Sequence, residues 1–167
     1  ILMQKVIFIS GTMGSGKTTI SRLCNEKLSR SVWLDGDWCW MMSPFQVQDQ
    51  TKAMVMDNIV YLLNQFLAQA CFDHVLFSWV MDQPETVQQI YNRLQGNFTF
   101  YHFTLLPSST QLRRQLQQDI DRGLRTADCI PQSLSRLTHY DLIESEKIKV
   151  NGQSPETITR EILSRLK

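Results

Sequence analysis

The sequence lacks the features that mark several large classes of protein. Its cysteines form no C-x-x-C pair and stand far apart, so we expect neither a zinc site nor a disulfide framework; they are Cys24, Cys39, Cys71 and Cys129. The formal net charge of +1 gives no electrostatic reason to expect a nucleic-acid partner or an anionic membrane. No apolar run is long enough to span a bilayer and no signal peptide is evident. Together with the free thiols, this predicts a cytoplasmic location.

Internal repeats, low-complexity stretches and linkers are also missing. The 167 residues suit one domain with one substantial core, so we predict a single domain over residues 1–167. Hydrophobic residues make up 43% and charged residues 20%, which is ordinary for a globular protein. Predicted strands and helices alternate, a pattern typical of an α/β fold in which helices cover both faces of a parallel sheet.

Glycine is scarce, but three of the seven glycines fall close together, at Gly11, Gly14 and Gly16. Residues 11–18 fit the pattern G-x-x-x-x-G-K-[ST], the P-loop. A buried strand is predicted directly before the loop, over residues 5–10, and a helix directly after it, over residues 19–28. The motif requires this context. The alternative is a glycine-rich turn that binds nothing.

The P-loop predicts a site for the phosphates of ATP. Successive backbone N–H groups can wrap an anion, and the following helix directs its positive end toward it. Lys17 supplies an ammonium for the outer phosphates, and Thr18 offers a hydroxyl to Mg²⁺. Thr19 either contacts an inner phosphate or simply suits the helix. The predicted nucleotide-binding residues of the loop are Gly11, Thr12, Met13, Gly14, Ser15, Gly16, Lys17, Thr18 and Thr19.

In all, the hydrophobic pattern predicts about five strands and seven helices. The later strands are expected over residues 31–34, 74–79, 97–106 and 147–150. The later helices are expected to restart at Ser43-Pro44, then to cover about 50–70, 82–96, 107–120 and 131–146, with a last one after Ser154. Ligands of parallel sheets bind at the carboxyl ends of strands, so the P-loop, residues 35–37 and residues 78–79 should meet at one edge.

Asp35 and Asp37 lie two residues apart at the end of the second strand. One carboxylate near magnesium and one near an acceptor hydroxyl would orient a phosphoryl acceptor and receive its proton. We assign Asp37 as the base and Asp35 to the metal, although the two roles could be exchanged. The alternative is a simple turn, because Asp-Gly-Asp is good turn chemistry.

An apolar segment follows these acids directly: Trp38, Cys39, Trp40, Met41 and Met42. Such a wall beside an acceptor carboxylate suits a substrate with a flat or apolar part, and core packing is the alternative. Trp79 and Asp82 are expected at the same edge of the sheet. We expect Asp82 to cap the helix that begins at Pro84.

Five arginines cluster around a break at Gly123, namely Arg113, Arg114, Arg122, Arg125 and Arg136. Phosphoryl transfer needs positive groups at the developing charge, and arginines on a mobile segment supply them on closure. Arg122 and Arg125 are the favoured candidates, Arg125 as a catalytic residue, while Arg113 or Arg114 suits a solvated helix face. The three scattered histidines, His74, His102 and His139, are expected to be structural.

Taken together, these motifs resemble a small P-loop kinase of the nucleoside monophosphate kinase and shikimate kinase superfamily. Residues 34–37 resemble the second-strand motif of adenylylsulfate kinases and chloramphenicol phosphotransferases. Residues 122–128 resemble a short lid (about 122–130), which implies that Arg122 lies near the adenine and Arg125 at the phosphates. Residues 151–156 resemble the turn beside the adenine. The resemblance implies a three-layer P-loop NTPase fold with a parallel five-stranded sheet in the order 2-3-1-4-5.

The sequence departs from this resemblance at the end of the third strand. Kinases of this superfamily are expected to have an acidic residue there, and this sequence has Ser78-Trp79.

The expected function is an ATP- and Mg²⁺-dependent phosphotransferase acting on a small-molecule hydroxyl or phosphate. The alternatives are a nucleotide-binding sensor module and an NTP hydrolase. GTP stays open as donor, because no N-K-x-D motif marks the base-reading loop. The acceptor's identity and the oligomeric state stay open too.

Overall fold

The computed structural model describes residues 2–167, and a sheet of five parallel strands lies at its centre. The strands are β1 (Gln4–Ser10), β2 (Ser31–Asp35), β3 (His74–Trp79), β4 (Phe98–Pro107) and β5 (Glu146–Val150). Their order in the sheet is β2-β3-β1-β4-β5, and every neighbouring pair is parallel. The predicted sheet order is therefore confirmed.

Six α-helices and two short 3₁₀ helices connect these strands within residues 2–167. The α-helices are α1 (Lys17–Lys27), α2 (Asp49–Leu67), α3 (Pro84–Arg93), α4 (Ser109–Asp121), α5 (Cys129–Leu137) and α6 (Pro155–Ser164). The 3₁₀ helices cover Gly36–Trp40 and Thr138–Leu142. Within the same residues, no helix is long and apolar enough to cross a membrane.

Alternation along β1 divides the core into two layers. Val6 and Phe8 are fully buried in a cluster with side chains of α2 and α3. Ile7 and Ile9 point the other way, into a cluster with side chains of α1 and α6. Because successive side chains of a strand face opposite sides, a strand buried on both faces reads as an unbroken apolar run.

The carboxyl ends of the central strands meet at one edge of the sheet. Ser10, the last residue of β1, is in register with Trp79 of β3 and Thr104 of β4. Asp35, the last residue of β2, is in register with Ser78. The P-loop therefore leaves the sheet beside the acidic end of β2.

The prediction that a helix restarts at Ser43-Pro44 is wrong. Residues 43–48 are exposed and irregular, so a helix there would have no apolar face to bury. The chain becomes helical only at Asp49. There the Thr51 hydroxyl accepts a hydrogen bond of 2.8 Å from the backbone N–H of Gln48, the residue directly before the helix.

Two further expectations also need correction. The helix predicted over residues 131–146 instead covers Cys129–Leu137, and the chain tightens into the second 3₁₀ helix, which buries Tyr140 completely. Asp82 does not cap α3, because Gln83 occupies the N-cap position. The Asp82 carboxylate instead lies 3.2 Å from Nδ1 of His139.

Candidate functional site

A cavity of about 840 Å³ lies at the carboxyl edge of the sheet, within the size range of small-molecule sites. Its walls come from the P-loop, the end of β2, the segment after it, and the α4–α5 region. The lining residues are Met13, Gly14, Gly16, Lys17, Thr18, Thr19, Asp35, Asp37, Trp40, Met41, Phe45, Val47, Val80, Gln115, Asp119, Arg125 and Arg136. Residues predicted from distant motifs thus share one space.

Gly14 gives the P-loop a backbone conformation that residues with a side chain rarely adopt. Its φ of +79° is in the left-handed region. A Cβ at this position would lie 2.6 Å from Cδ2 of Leu116, so the loop also packs tightly against α4. The loop then turns into α1, which begins at Lys17 with its N–H groups directed toward the cavity end.

The buried underside of the loop carries hydroxyls without protein partners. Thr12 Oγ1 and Ser15 Oγ are both buried and accept or donate no hydrogen bond among the residues the structure describes. Thr12, Ser15 and Gly11 lie behind the cavity wall rather than on it. The groups of this region that suit a bound triphosphate are therefore those on the cavity side: the free N–H groups at the start of α1 and the Lys17 ammonium.

Lys17 is the basic group of the loop. Its Nζ donates a hydrogen bond of 2.8 Å to the carbonyl oxygen of Thr12. Burial lowers the pKa of Lys17 to about 8; the Asp37 and Asp35 carboxylates oppose this shift, and the Arg125 charge adds to it. A bound phosphate would give this buried ammonium a negatively charged partner.

Asp35 is the buried acid of the pair, with 7% of its surface exposed. One carboxylate oxygen accepts from the backbone N–H of Asp37 at 2.9 Å, and the other lies 3.5 Å from the Thr18 hydroxyl. Burial raises the pKa of Asp35, while the Asp37 backbone N–H lowers it. A hydroxyl and a carboxylate side by side suit Mg²⁺, which takes few protein oxygens and completes its shell with phosphate and water.

Asp37 is exposed and lines the same cavity, so the two acids occupy different environments. Gly36, between them, allows this arrangement through a close approach. A Cβ at Gly36 would lie 2.4 Å from Cγ of Trp79. The Trp79 ring therefore fixes the turn that carries both carboxylates.

Ser78 stands where an acidic residue was expected. It is buried, and its hydroxyl accepts a hydrogen bond of 2.9 Å from Nε1 of Trp33. The end of β3 thus presents a neutral, already hydrogen-bonded group, and Asp35 is the acid beside it in register.

The clustered arginines fall into two groups. Arg125 lines the cavity, and its Nε donates at 2.9 Å to the Asp119 carboxylate of α4. Arg136 also lines the cavity and forms no ion pair with any residue between 2 and 167. Arg122, Arg113 and Arg114 are exposed and lie outside the cavity wall. The structure therefore brings Arg125 to the P-loop but does not bring Arg122.

Comparison with known families gives one match that covers most of the chain. The family model described as AAA domain (AAA_18) matches residues 7–135. This chain belongs to the AAA domain family. None of the curated proteins compared with it matches.

Solved structures with the same fold cover nearly the whole length of this AAA domain chain. The Deinococcus radiodurans tunicamycin resistance protein is 15% identical with a TM-score of 0.71, over 97% of this chain and 95% of that one. A gluconokinase from Sinorhizobium meliloti 1021 is 17% identical with a TM-score of 0.71, over 98% and 92%. Shikimate kinase from Acinetobacter baumannii is 17% identical with a TM-score of 0.62, over 99% and 96%. The predicted resemblance to small P-loop kinases is thus confirmed at the level of the fold.

In this AAA domain protein, a buried polar network supports the P-loop from below. The Ser10 hydroxyl lies 2.9 Å from both Nε2 of His102 and Oγ1 of Thr104. Thr104 contacts the Ser145 hydroxyl at 2.6 Å, and Lys147 donates to that hydroxyl at 2.9 Å. Burial lowers the pKa of His102 to about 4, and the Lys147 charge adds to the shift. None of these side chains lines the cavity.

The remaining predicted positions lie outside the cavity. His74 bonds to the carbonyl oxygen of Ser29, and His139 lies beside Asp82, as described above. Residues 151–154 form the turn between β5 and α6, where Ser154 caps α6 through the Thr157 N–H at 3.2 Å. No residue of this turn is among the lining residues.

Several lining residues were missed by reasoning from the sequence. Asp119 and Gln115 are polar residues of α4, and Phe45, Val47 and Val80 are further apolar residues that line the cavity. Asp119 carries a signal, because it is an acid six residues before Arg125 across a helix break. Phe45 and Val47 carry none, because they lie in an irregular segment with no periodicity to place them.

Proposed function

We propose that this protein is an ATP- and Mg²⁺-dependent phosphotransferase acting on a hydroxyl or phosphate of a small molecule. The observation that carries the proposal is the meeting of Lys17, Asp37 and Arg125 on the walls of one cavity. A base, a phosphate-binding ammonium and a guanidinium are the groups that phosphoryl transfer uses. The kinase fold supports this reading without specifying the acceptor.

The donor end is built to hold a triphosphate. Backbone N–H groups of the loop and of the first turn of α1 bind the phosphates, and Lys17 adds a positive charge whose pKa rises when phosphate arrives. Thr18 and Asp35 would hold Mg²⁺, which supplies charge neutralisation at the phosphates when bound. Thr18 and Asp35 already lie 3.5 Å apart.

The acceptor end uses the exposed acid. Asp37 orients the acceptor hydroxyl and accepts its proton as the oxygen attacks. Arg125 supplies positive charge at the transferred group, and the segment of residues 122–130 closes over it to exclude water. Arg136, which has no ion-pair partner within residues 2–167, offers a second positive group on the same wall.

The second candidate is a nucleotide-binding module with little catalysis. The Asp119 carboxylate favours this second candidate, because it already pairs with the Arg125 guanidinium that phosphoryl transfer would need. Ser78 also favours it, since its hydroxyl is engaged by Trp33 and offers no charge to a metal.

Release of ADP in the presence of acceptor panels tests the proposal. The purified protein is incubated with ATP and Mg²⁺ and then with pools of alcohols, sugars, nucleosides and phosphate esters. We expect at least one pool to raise ADP release well above the rate without acceptor. A tightly bound nucleotide with no stimulation by any pool would favour the binding module instead.

A further inference from the structure

The acceptor end of the cavity carries apolar side chains that the core does not use. Met41, Phe45 and Val47 are 84%, 65% and 52% exposed, yet all three line the cavity that contains Asp37. Single exposed apolar residues are ordinary, but several around one cavity mark a binding surface. We call Trp40, Met41, Phe45 and Val47 the apolar wall.

One member of the apolar wall is anchored, and it positions another. Trp40 is partly buried and packs against the core cluster beneath α2. Its ring centroid lies 5.5 Å from that of Phe45, with the planes tilted by 55°. This separation is in the range of favourable aromatic pairs, so the exposed Phe45 ring is held beside a fixed one.

We propose that the phosphoryl acceptor is a small alcohol that carries an aromatic ring, with its hydroxyl at Asp37 and its ring on the apolar wall. This inference rests on the proposed function. Two rings and a methionine thioether favour an aromatic partner through ring-edge and sulfur contacts. A polyol would place hydroxyls against side chains that cannot bond to them.

Charge narrows the range of possible acceptors further. The Asp35 and Asp37 carboxylates line the same cavity as the apolar wall, so they would repel an acidic group placed directly beside the acceptor hydroxyl. The four side chains of the apolar wall carry no charge. An uncharged phenyl alcohol is therefore a suitable probe.

Ligand-observed NMR with 2-phenylethanol and its saturated analogue 2-cyclohexylethanol tests the ring preference. The saturated alcohol is the more hydrophobic of the two, so simple partitioning onto an apolar surface would favour it. We expect 2-phenylethanol to bind at least about fivefold more tightly and glycerol not to bind detectably, since ring pairs add to area burial. Equal or reversed affinities of the two ring alcohols would overturn the proposal.

Variants locate the binding on the wall. Phe45→Ala should weaken 2-phenylethanol at least about fivefold, and Phe45→Leu should erase the preference for the aromatic alcohol. Tyr61→Ala is the matched control, because Tyr61 is 63% exposed and lies outside the cavity. Loss of binding in Tyr61→Ala but not in Phe45→Ala would overturn the proposal.

Measuring ADP release in the same mixtures separates this inference from the proposed function. Ring-selective binding without ADP release in these mixtures or in any of the acceptor pools would support the ring subsite and contradict the kinase. Phosphorylation of glycerol or a hexose while 2-phenylethanol stays inert would support the kinase and overturn the aromatic acceptor. Self-association that Phe45→Ala abolishes, measured by sedimentation, would also overturn it, because the wall would then be an interface between copies.

Discussion

The two ends of the cavity are built in opposite ways. At the phosphate end, continuous sequence folds locally, and residues 11–18 supply both the backbone shape and the ammonium. At the proposed acceptor end, side chains come from the 3₁₀ helix after β2, from an irregular exposed segment and from the start of the β3–α3 loop. The first end rests on a buried polar network, and the second on a tryptophan anchored in an apolar core.

This difference indicates which part of the cavity would determine the specificity for the acceptor. Phosphates are alike in every nucleotide, so backbone N–H groups and one fixed lysine are enough to bind them. Acceptors differ, and under the proposed function the side chains that would distinguish them lie on segments that can change without disturbing the sheet. The following predictions test this contrast, from the largest expected effect to the smallest.

Lys17→Ala should remove the phosphate end while leaving the fold intact. We expect turnover or nucleotide affinity to fall by about 10²–10³-fold, because a preorganised positive group is lost at the phosphates. The circular dichroism spectrum should be unchanged and the melting temperature should not fall, because removing a desolvated ammonium relieves a cost of folding. Lys27→Ala, an exposed lysine at the other end of α1, is the control. Full activity in Lys17→Ala would contradict the assignment.

Acid should destabilise the protein at the phosphate end by protonating His102. Its pKa is about 4 in the folded protein and 6.5 in the unfolded reference, so the unfolded chain binds the proton more readily. Stability is therefore full above pH 6.5 and is lost as pH falls toward 4, by up to about 3 kcal/mol. Urea unfolding at pH 7 and pH 4.5 measures this loss.

His102→Gln should flatten that acid dependence, because glutamine keeps hydrogen-bonding groups near Ser10 without titrating. His74→Gln is the matched control, since His74 lies at the opposite edge of the sheet and bonds only to a backbone carbonyl. If both variants keep the wild-type slope, the acid sensitivity arises elsewhere.

Gly36→Ala should damage the acceptor end. The new Cβ would lie 2.4 Å from Trp79, and relieving that clash should cost about 2 kcal/mol and move Asp37. We expect acceptor-dependent ADP release to fall more than nucleotide affinity. Adding Trp79→Leu should restore part of the stability, because it removes the clashing ring. An additive double mutant would show that the clash is not the cause.

Raising the pH should weaken nucleotide binding at the phosphate end. Lys17 loses its proton around pH 8 in the free protein, and a bound phosphate raises its pKa, so affinity is full below pH 8 and declines above it. We expect the dissociation constant for ADP to rise by up to about tenfold per pH unit between 8 and 9.5, measured by calorimetry. Lys17→Arg, whose charge is permanent, should remove the slope. The same slope in that variant would assign it to another group.

The sequence allowed most of the fold to be predicted, because the strands are apolar runs and the P-loop fixes their context. Prediction failed where burial decided the outcome: residues 43–48 have no face to bury, and a buried Tyr140 ends the helix that was expected to continue. The N-cap of α3 was predicted one residue too early, at Asp82. The position directly before the helix is Gln83.

Within the candidate site, local motifs were predictable and long-range pairings were not. Lys17, Thr18, Asp35 and Asp37 lie in or beside the motifs that suggested them, although their roles stay predictions. The Arg125–Asp119 pair depends on how α4 ends, and the apolar wall depends on an irregular segment. Neither has a period or spacing that a sequence displays.

The Arg125–Asp119 ion pair has a consequence for how the site would respond to ionic strength. Arg125 already has an internal counter-ion, so an incoming phosphate would exchange partners with Asp119 rather than neutralise a bare charge. Screening by salt weakens the bond that must break as well as the bond that forms. Nucleotide affinity in this protein should therefore vary less steeply with salt than in a variant carrying Asp119→Asn.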